Sequence, residues 1–167
     1  MTRRIISGLV ALGFVAIGCP LFAAGNAFSG TWKLNLAKSS TIQWSAGKLL
    51  QKSDITDDTI TVTVEGDKTT VRMSGTISGQ SGSAVFTVPT AGGPLTYTGG
   101  GGPPEGITET LKIVDDRTDD FIDTMNGKVV LTTHCVVSPN HKTMTITQSG
   151  VDEKGKPFKT RKVYDLQ

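Results

Sequence analysis

Gly30-Thr31-Trp32-Lys33-Leu34-Asn35 is the stretch that decides the fold. Trp32, Leu34 and Leu36 alternate with Thr31, Lys33 and Asn35, the period-two pattern of a strand with one buried and one wet face. A Gly-x-Trp at the head of a chain that then reads as strands to its last residue points to a small closed barrel. The glycine lets two backbones approach closely, and the indole plugs the barrel floor. Gly30 and Trp32 are therefore structural candidates.

The same alternation continues outward from this stretch. Ile60, Val62 and Val64 alternate with threonines, as do Met144 and Ile146, while Val71, Met73 and Ile77 alternate with Arg72, Ser74 and Thr76. Threonine suits the wet side of a pleat because its branched side chain fits an extended backbone. Turn signals fall between the runs at Glu65-Gly66-Asp67-Lys68, Met125-Asn126-Gly127-Lys128, Pro139-Asn140-His141 and Glu153-Lys154-Gly155-Lys156. Asn126-Gly127 predicts a type I′ hairpin, whose two central residues both need positive φ. Short strands and frequent turns give an all-β fold, an antiparallel up-and-down barrel of about nine or ten strands. A helix or 3-10 turn has room only between Ala37 and Leu50. Gly99 to Gly102, followed by Pro103 and Pro104, reads as a hairpin loop.

The first 25 residues read as a cleaved export signal, with Arg3 and Arg4 ahead of an apolar run from Ile5 to Ile17 and small residues at Ala23-Ala24-Gly25. The expected domain is then a single barrel over residues 26–167, destined for the periplasm or for secretion. A lipid anchor at Cys19, preceded by Ala16-Ile17-Gly18, is the minority alternative. Arg3 and Arg4 carry the whole formal net charge of +2, so the rest of the chain is balanced and has no electrostatic footprint for nucleic acid. No segment suggests stable membrane insertion. Cys135 is the only cysteine beyond the signal, which leaves no internal disulfide.

Gly30 to Asn35 with Lys38-Ser39, then Asn126 to Val130, Val136 to Ser138, Lys142 to Thr147, Gly155-Lys156-Pro157 and Val163-Tyr164-Asp165, resemble a group of small secreted bacterial proteins of lipocalin-like, calycin-type barrel architecture. The resemblance covers both ends of the barrel domain and departs between Thr41 and Gly106. It implies a barrel and brings no biochemical activity with it. The Gly-Thr-Trp start is also similar to fatty-acid-binding proteins, which hold a carboxylate with an arginine and a tyrosine two residues apart on the last strand. Here Arg161 and Tyr164 are three apart, so alternation places them on opposite faces. The lipocalin-like resemblance further implies that a basic residue of the last strand covers the indole, and Arg161 is the candidate.

Phe158, Thr160, Lys162, Tyr164 and Leu166 share one face of the last strand. An inward lysine needs an anion or a route to the rim, which makes Lys162 and Tyr164 candidate anchors for the acidic head of a ligand. Met73 and Phe86 are candidates to line its apolar body. Val129, Leu131, Cys135 and Val137 make one apolar face, and His134, adjacent to Cys135, faces the opposite way, so no metal pair forms there. The run Asp115, Asp116, Asp119, Asp120, Asp123 lacks the spacing of a calcium loop and reads as a solvated turn with edge-guarding charges. Catalytic motifs are absent, and no cofactor is implied. The expectation is a non-enzymatic exported barrel for a small hydrophobic or amphipathic ligand. The alternative is a filled barrel acting as a structural or protein-interaction module of the cell envelope.

Overall fold

The computed structural model describes residues 26–45, 48–103, 105–152 and 154–167. The expected export segment and Cys19 lie outside the described residues. The strands are β1 (Gly30–Leu34), β2 (Ile42–Ser45), β3 (Lys48–Gln51), β4 (Ile55–Glu65), β5 (Lys68–Ile77), β6 (Gln80–Pro89), β7 (Gly93–Pro94), β8 (Thr96–Gly100), β9 (Ile107–Asp115), β10 (Thr118–Met125), β11 (Lys128–Val137), β12 (Thr143–Val151) and β13 (Pro157–Leu166). Short 3-10 turns cover Asn26–Phe28, Leu36–Lys38 and Lys52–Asp54.

Eleven strands form one antiparallel sheet in the order β7-β9-β10-β11-β12-β13-β1-β4-β5-β6-β8. Its two ends, β7 and β8, are successive pieces of one stretch joined through Leu95. β7 pairs with β9, the Leu95 N–H donates to the Glu109 carbonyl at 3.1 Å, and β8 pairs with β6. The sheet thus curls back on itself into a nearly closed, up-and-down barrel. The sheet has eleven strands where alternation alone gave nine or ten. Part of the reason is that Gly99 and Gly100, read as loop, pair in β8 with Val85 and Ala84. At Met125–Lys128 the expected hairpin forms, with Asn126 at φ 51 and Gly127 at φ 74.

One end of the barrel is packed solid. Trp32 is fully buried, and its Nε1–H donates to the Phe28 carbonyl at 2.7 Å. Val62, Val71, Phe86, Val137 and Met144 close around it. Gly30 adopts φ +131, and a Cβ there would lie 2.7 Å from Leu166 Cδ1. The backbone shape is what requires the glycine, since the Leu166 methyl can turn aside.

β1 is short, and this shapes everything above it. Asn35 leaves the strand to cap the 3-10 turn, its Oδ1 accepting from the Lys38 N–H at 3.1 Å. Leu36 therefore sits in that turn and does not extend the Trp32–Leu34 face. Beyond this point β13 loses its strand partner on the β1 side, and serines replace it. Ser39 Oγ accepts from the Val163 N–H at 3.0 Å, Ser40 Oγ accepts from the Arg161 N–H at 3.0 Å, and the Ser40 N–H donates to the Arg161 carbonyl at 2.8 Å. With the Asn35 N–H donating to the Val163 carbonyl at 2.7 Å, the edge groups of Val163 and Arg161 are satisfied. The chain then makes the separate β2–β3 ribbon, where Trp44 stacks on Phe158 with ring centroids 4.8 Å apart.

The 3-10 turns at Asn26–Phe28 and Lys52–Asp54 fall outside the Ala37–Leu50 stretch expected to hold any helix, and three further expectations need correction. Arg161 is exposed and lies on the opposite face of β13 from Tyr164, so it does not cover Trp32; the core and the Phe28 carbonyl enclose the indole instead. Val129, expected on the apolar face, is 61% exposed next to a register shift at Asp123/Thr124. The acidic run is not all solvated turn: β10 is an interior strand of the sheet, and Asp119 is buried.

Candidate functional site: the polar inner wall

Alternation and register define the inner surface above Trp32. On β13, Thr160, Lys162 and Tyr164 are all buried. Gln148 of β12 pairs with Thr160, and Thr133 of β11 pairs with Gln148, which extends the wall across three strands. Phe121 packs edge-on against Phe86, with centroids 6.1 Å apart. Its same-face neighbours Asp119 and Asp123 therefore point inward as well. Asp123 pairs with Glu109 of β9, and the Tyr97 hydroxyl donates to Glu109 Oε2. Half-way round the ring from β12, β6 presents Gly82 and Ala84 beside Gly75 and Met73 of β5.

The sequence placed Lys162 and Tyr164 inward, and there they are, but they do not point at empty space. Lys162 Nζ donates to Asp58 Oδ2 at 2.9 Å, and the Tyr164 hydroxyl donates to the same oxygen at 2.9 Å. The anion demanded by the inward lysine is internal. Burial, then the Asp58 charge, holds the Tyr164 hydroxyl well above the usual phenol range. This triad bridges β13 and β4 just above the end of β1. A second bridge crosses the other weak seam, where Tyr97 of β8 reaches Glu109 of β9. Burial, then the hydrogen bond to Glu109, also raises the Tyr97 hydroxyl.

Met73 is half-buried on the inner wall and packs onto the core. Phe86 is only 4% exposed and belongs to the floor, tilted against Tyr97 at 5.5 Å between centroids. Of the four residues expected to hold a ligand, Met73 alone keeps a partly accessible side chain free of an internal polar partner. Asp58, Asp123, Gln43 and Trp44 were not singled out from sequence. Asp58 shares the parity of Ile60, and Asp123 that of Phe121, so alternation carried the signal for both.

The wall is rich in acceptors. Asp119 and Asp123 are each pushed up to about 7, Asp119 by burial and the charges of Asp115 and Asp120, Asp123 by burial and Glu109. Buried Gln148 Oε1, Thr160 Oγ1, Gln43 Oε1 and Asp119 Oδ1 have no hydrogen-bond partner among the described residues. On the outside, His134 Nδ1 lies 2.6 Å from Asp120 Oδ1. Among the described residues no group of three or more His, Cys, Asp or Glu side chains could hold a metal, and no helix is long and apolar enough to cross a membrane.

Two surface grooves, of about 280 and 290 Å³, are lined by residues that do not belong to this wall. One lies along Lys68, Thr87, Pro89 and Thr96, the other along Trp44, Lys48, Leu49 and Lys154. No family model matches the chain, and no curated protein sequence matches it.

Proposed function

We propose that the protein is an exported, lipocalin-like barrel that binds a small hydrophobic or amphipathic molecule non-covalently above the Trp32 floor. One observation carries the reading: the two halves of the barrel differ. The floor half is close-packed around Trp32, whereas the inner wall above it faces Gly75, Gly82 and Ala84 with buried oxygens that lack partners. Apolar floor residues and half-buried Met73 would solvate the ligand's body, and the polar wall would orient its head. The filled-barrel alternative draws on a different observation, that Lys162, Tyr164 and Tyr97 are already engaged by internal carboxylates.

Titration with the neutral fluorophore N-phenyl-1-naphthylamine separates the two. Saturable emission enhancement, displaced by decan-1-ol and lost in Ala84→Trp, is expected for a binding barrel. Absence of saturable enhancement in the wild-type protein favours the filled barrel and overturns the proposal.

A further inference from the structure

The inner wall has a direction to its chemistry. Among the described residues it carries four carboxyl groups, on Asp58, Glu109, Asp119 and Asp123, against the single ammonium of Lys162. Lys162 and Tyr164 are both spent on Asp58, and Tyr97 donates to Glu109. Asp123 faces Glu109 across the strand pair with no hydrogen-bond donor among the described residues. An anionic head placed here would meet like charge and no free cation.

The uncharged groups point the same way. Thr160 on the wall is 2% exposed and holds an unpartnered oxygen, and so does fully buried Gln43 on the separate β2–β3 ribbon beside β13. The Gln43 amide orientation is set by its Nε2, which donates to two carbonyls, Ser40 at 2.6 Å and Arg161 at 3.2 Å. Its Oε1 must therefore accept. Gln148, in register with Thr160, gives its Nε2 to Thr133 at 3.4 Å and leaves its own Oε1 without a donor. The Thr160 hydroxyl bonds to neither of these two amide oxygens. Buried acceptors left without donors are costly, and an occupant bringing N–H or O–H groups removes that cost.

We infer that the head of the bound molecule is a hydrogen-bond-donating cation, a primary or secondary ammonium on an apolar body, held by Asp123 and Glu109 on the inner wall that also carries Gln148 and Thr160. This rests on the binding proposal above and reverses the polarity that Lys162 suggested in the sequence.

Calorimetric titration of the protein with decylammonium, decan-1-ol and decanoate at neutral pH and low salt tests it. Decylammonium should bind about tenfold tighter than decan-1-ol, the size of one charge-assisted hydrogen bond, with decanoate weakest. Asp123→Asn, or Glu109→Gln where the first variant fails to fold, should bring decylammonium affinity down to that of decan-1-ol. Decanoate binding as tightly as decylammonium, or a preference unchanged in both variants, overturns the inference and leaves apolar binding standing. Failure of all three probes to bind removes the binding proposal, and the inference with it.

Discussion

Lys162 meets Asp58 across 104 residues of sequence, with Nζ 2.9 Å from Oδ2, just above the point where β1 stops separating β13 from β4. The pair is mostly buried, with side-chain exposures of 9% and 17%. Buried ion pairs gain little over well-packed apolar residues, but stranding one partner is expensive. The contact is best understood as a clip that defines how two non-adjacent strands sit.

Removing only one side of the clip should be severe. Asp58→Ala strands a buried ammonium and should cost about 3–5 kcal/mol in urea unfolding. The double variant Asp58→Leu with Lys162→Met should recover most of that loss. A single variant as stable as wild type would show that the pair is not formed.

The indole on the floor makes a separate prediction. Trp32→Phe keeps the apolar bulk but removes the indole N–H that donates to the Phe28 carbonyl. It should cost about 1–3 kcal/mol for the lost buried hydrogen bond, and Trp32→Ala about 3–5 kcal/mol through the added cavity. Both are read from chemical denaturation.

Arg161 and Ser39 should behave in the opposite order to their sizes. Arg161 is exposed and takes part through its backbone, so Arg161→Ala should change stability by no more than about 0.5 kcal/mol. Ser39 is buried, donates to the Asn35 carbonyl at 2.8 Å and accepts from the Val163 N–H. Ser39→Ala leaves both backbone groups without these bonds and should cost about 1–3 kcal/mol. Melting curves of the two variants side by side check the ranking.

Stability should fall as pH rises through the weakly acidic range. Asp119 and Asp123 titrate near 7 when folded and near 3.8 in the free side chain. Between about pH 4 and about pH 7 the folded state therefore holds more protons than the unfolded state, and raising the pH in that window favours unfolding. Burial is the main cause at both, followed by the charges of Asp115 and Asp120 at Asp119 and of Glu109 at Asp123. Asp115, Asp152 and Asp165 are shifted down by hydrogen bonds and act oppositely, losing stability only as pH drops below about 4. Melting temperatures should be higher at about pH 5 than at about pH 8, and Asp119→Asn or Asp123→Asn should each flatten the slope.

Much of the barrel was legible because a half-buried strand writes its face into every second residue. Ile60, Val62, Met144 and Ile146 show this, and Asn126-Gly127 announced its turn through a conformation few residue pairs accept. Two misreadings came from overriding that period. Arg161 was assigned to the indole by resemblance, although its parity opposes that of Tyr164 and Leu166. Asp119 and Asp123 were taken for turn charges because the dense acidic run masked the parity they share with Phe121. The meeting of Lys162 with Asp58 had no local signal. It depends on where β1 ends, and that end is set by Asn35 capping a 3-10 turn and by serines completing the β13 edge.

Three methionines in the described chain stand at three depths: Met144 in the packed floor, Met73 half-buried on the inner wall, and Met125 exposed at the β10–β11 turn. Methyl NMR of the ¹³C-methionine protein titrated with decan-1-ol is the most direct test of a barrel that is solid below and receptive above. A saturable shift of the Met73 methyl, with Met125 and Met144 nearly still, is the predicted result. A Met73 resonance that stays fixed while the alcohol is added to its solubility limit would contradict the account.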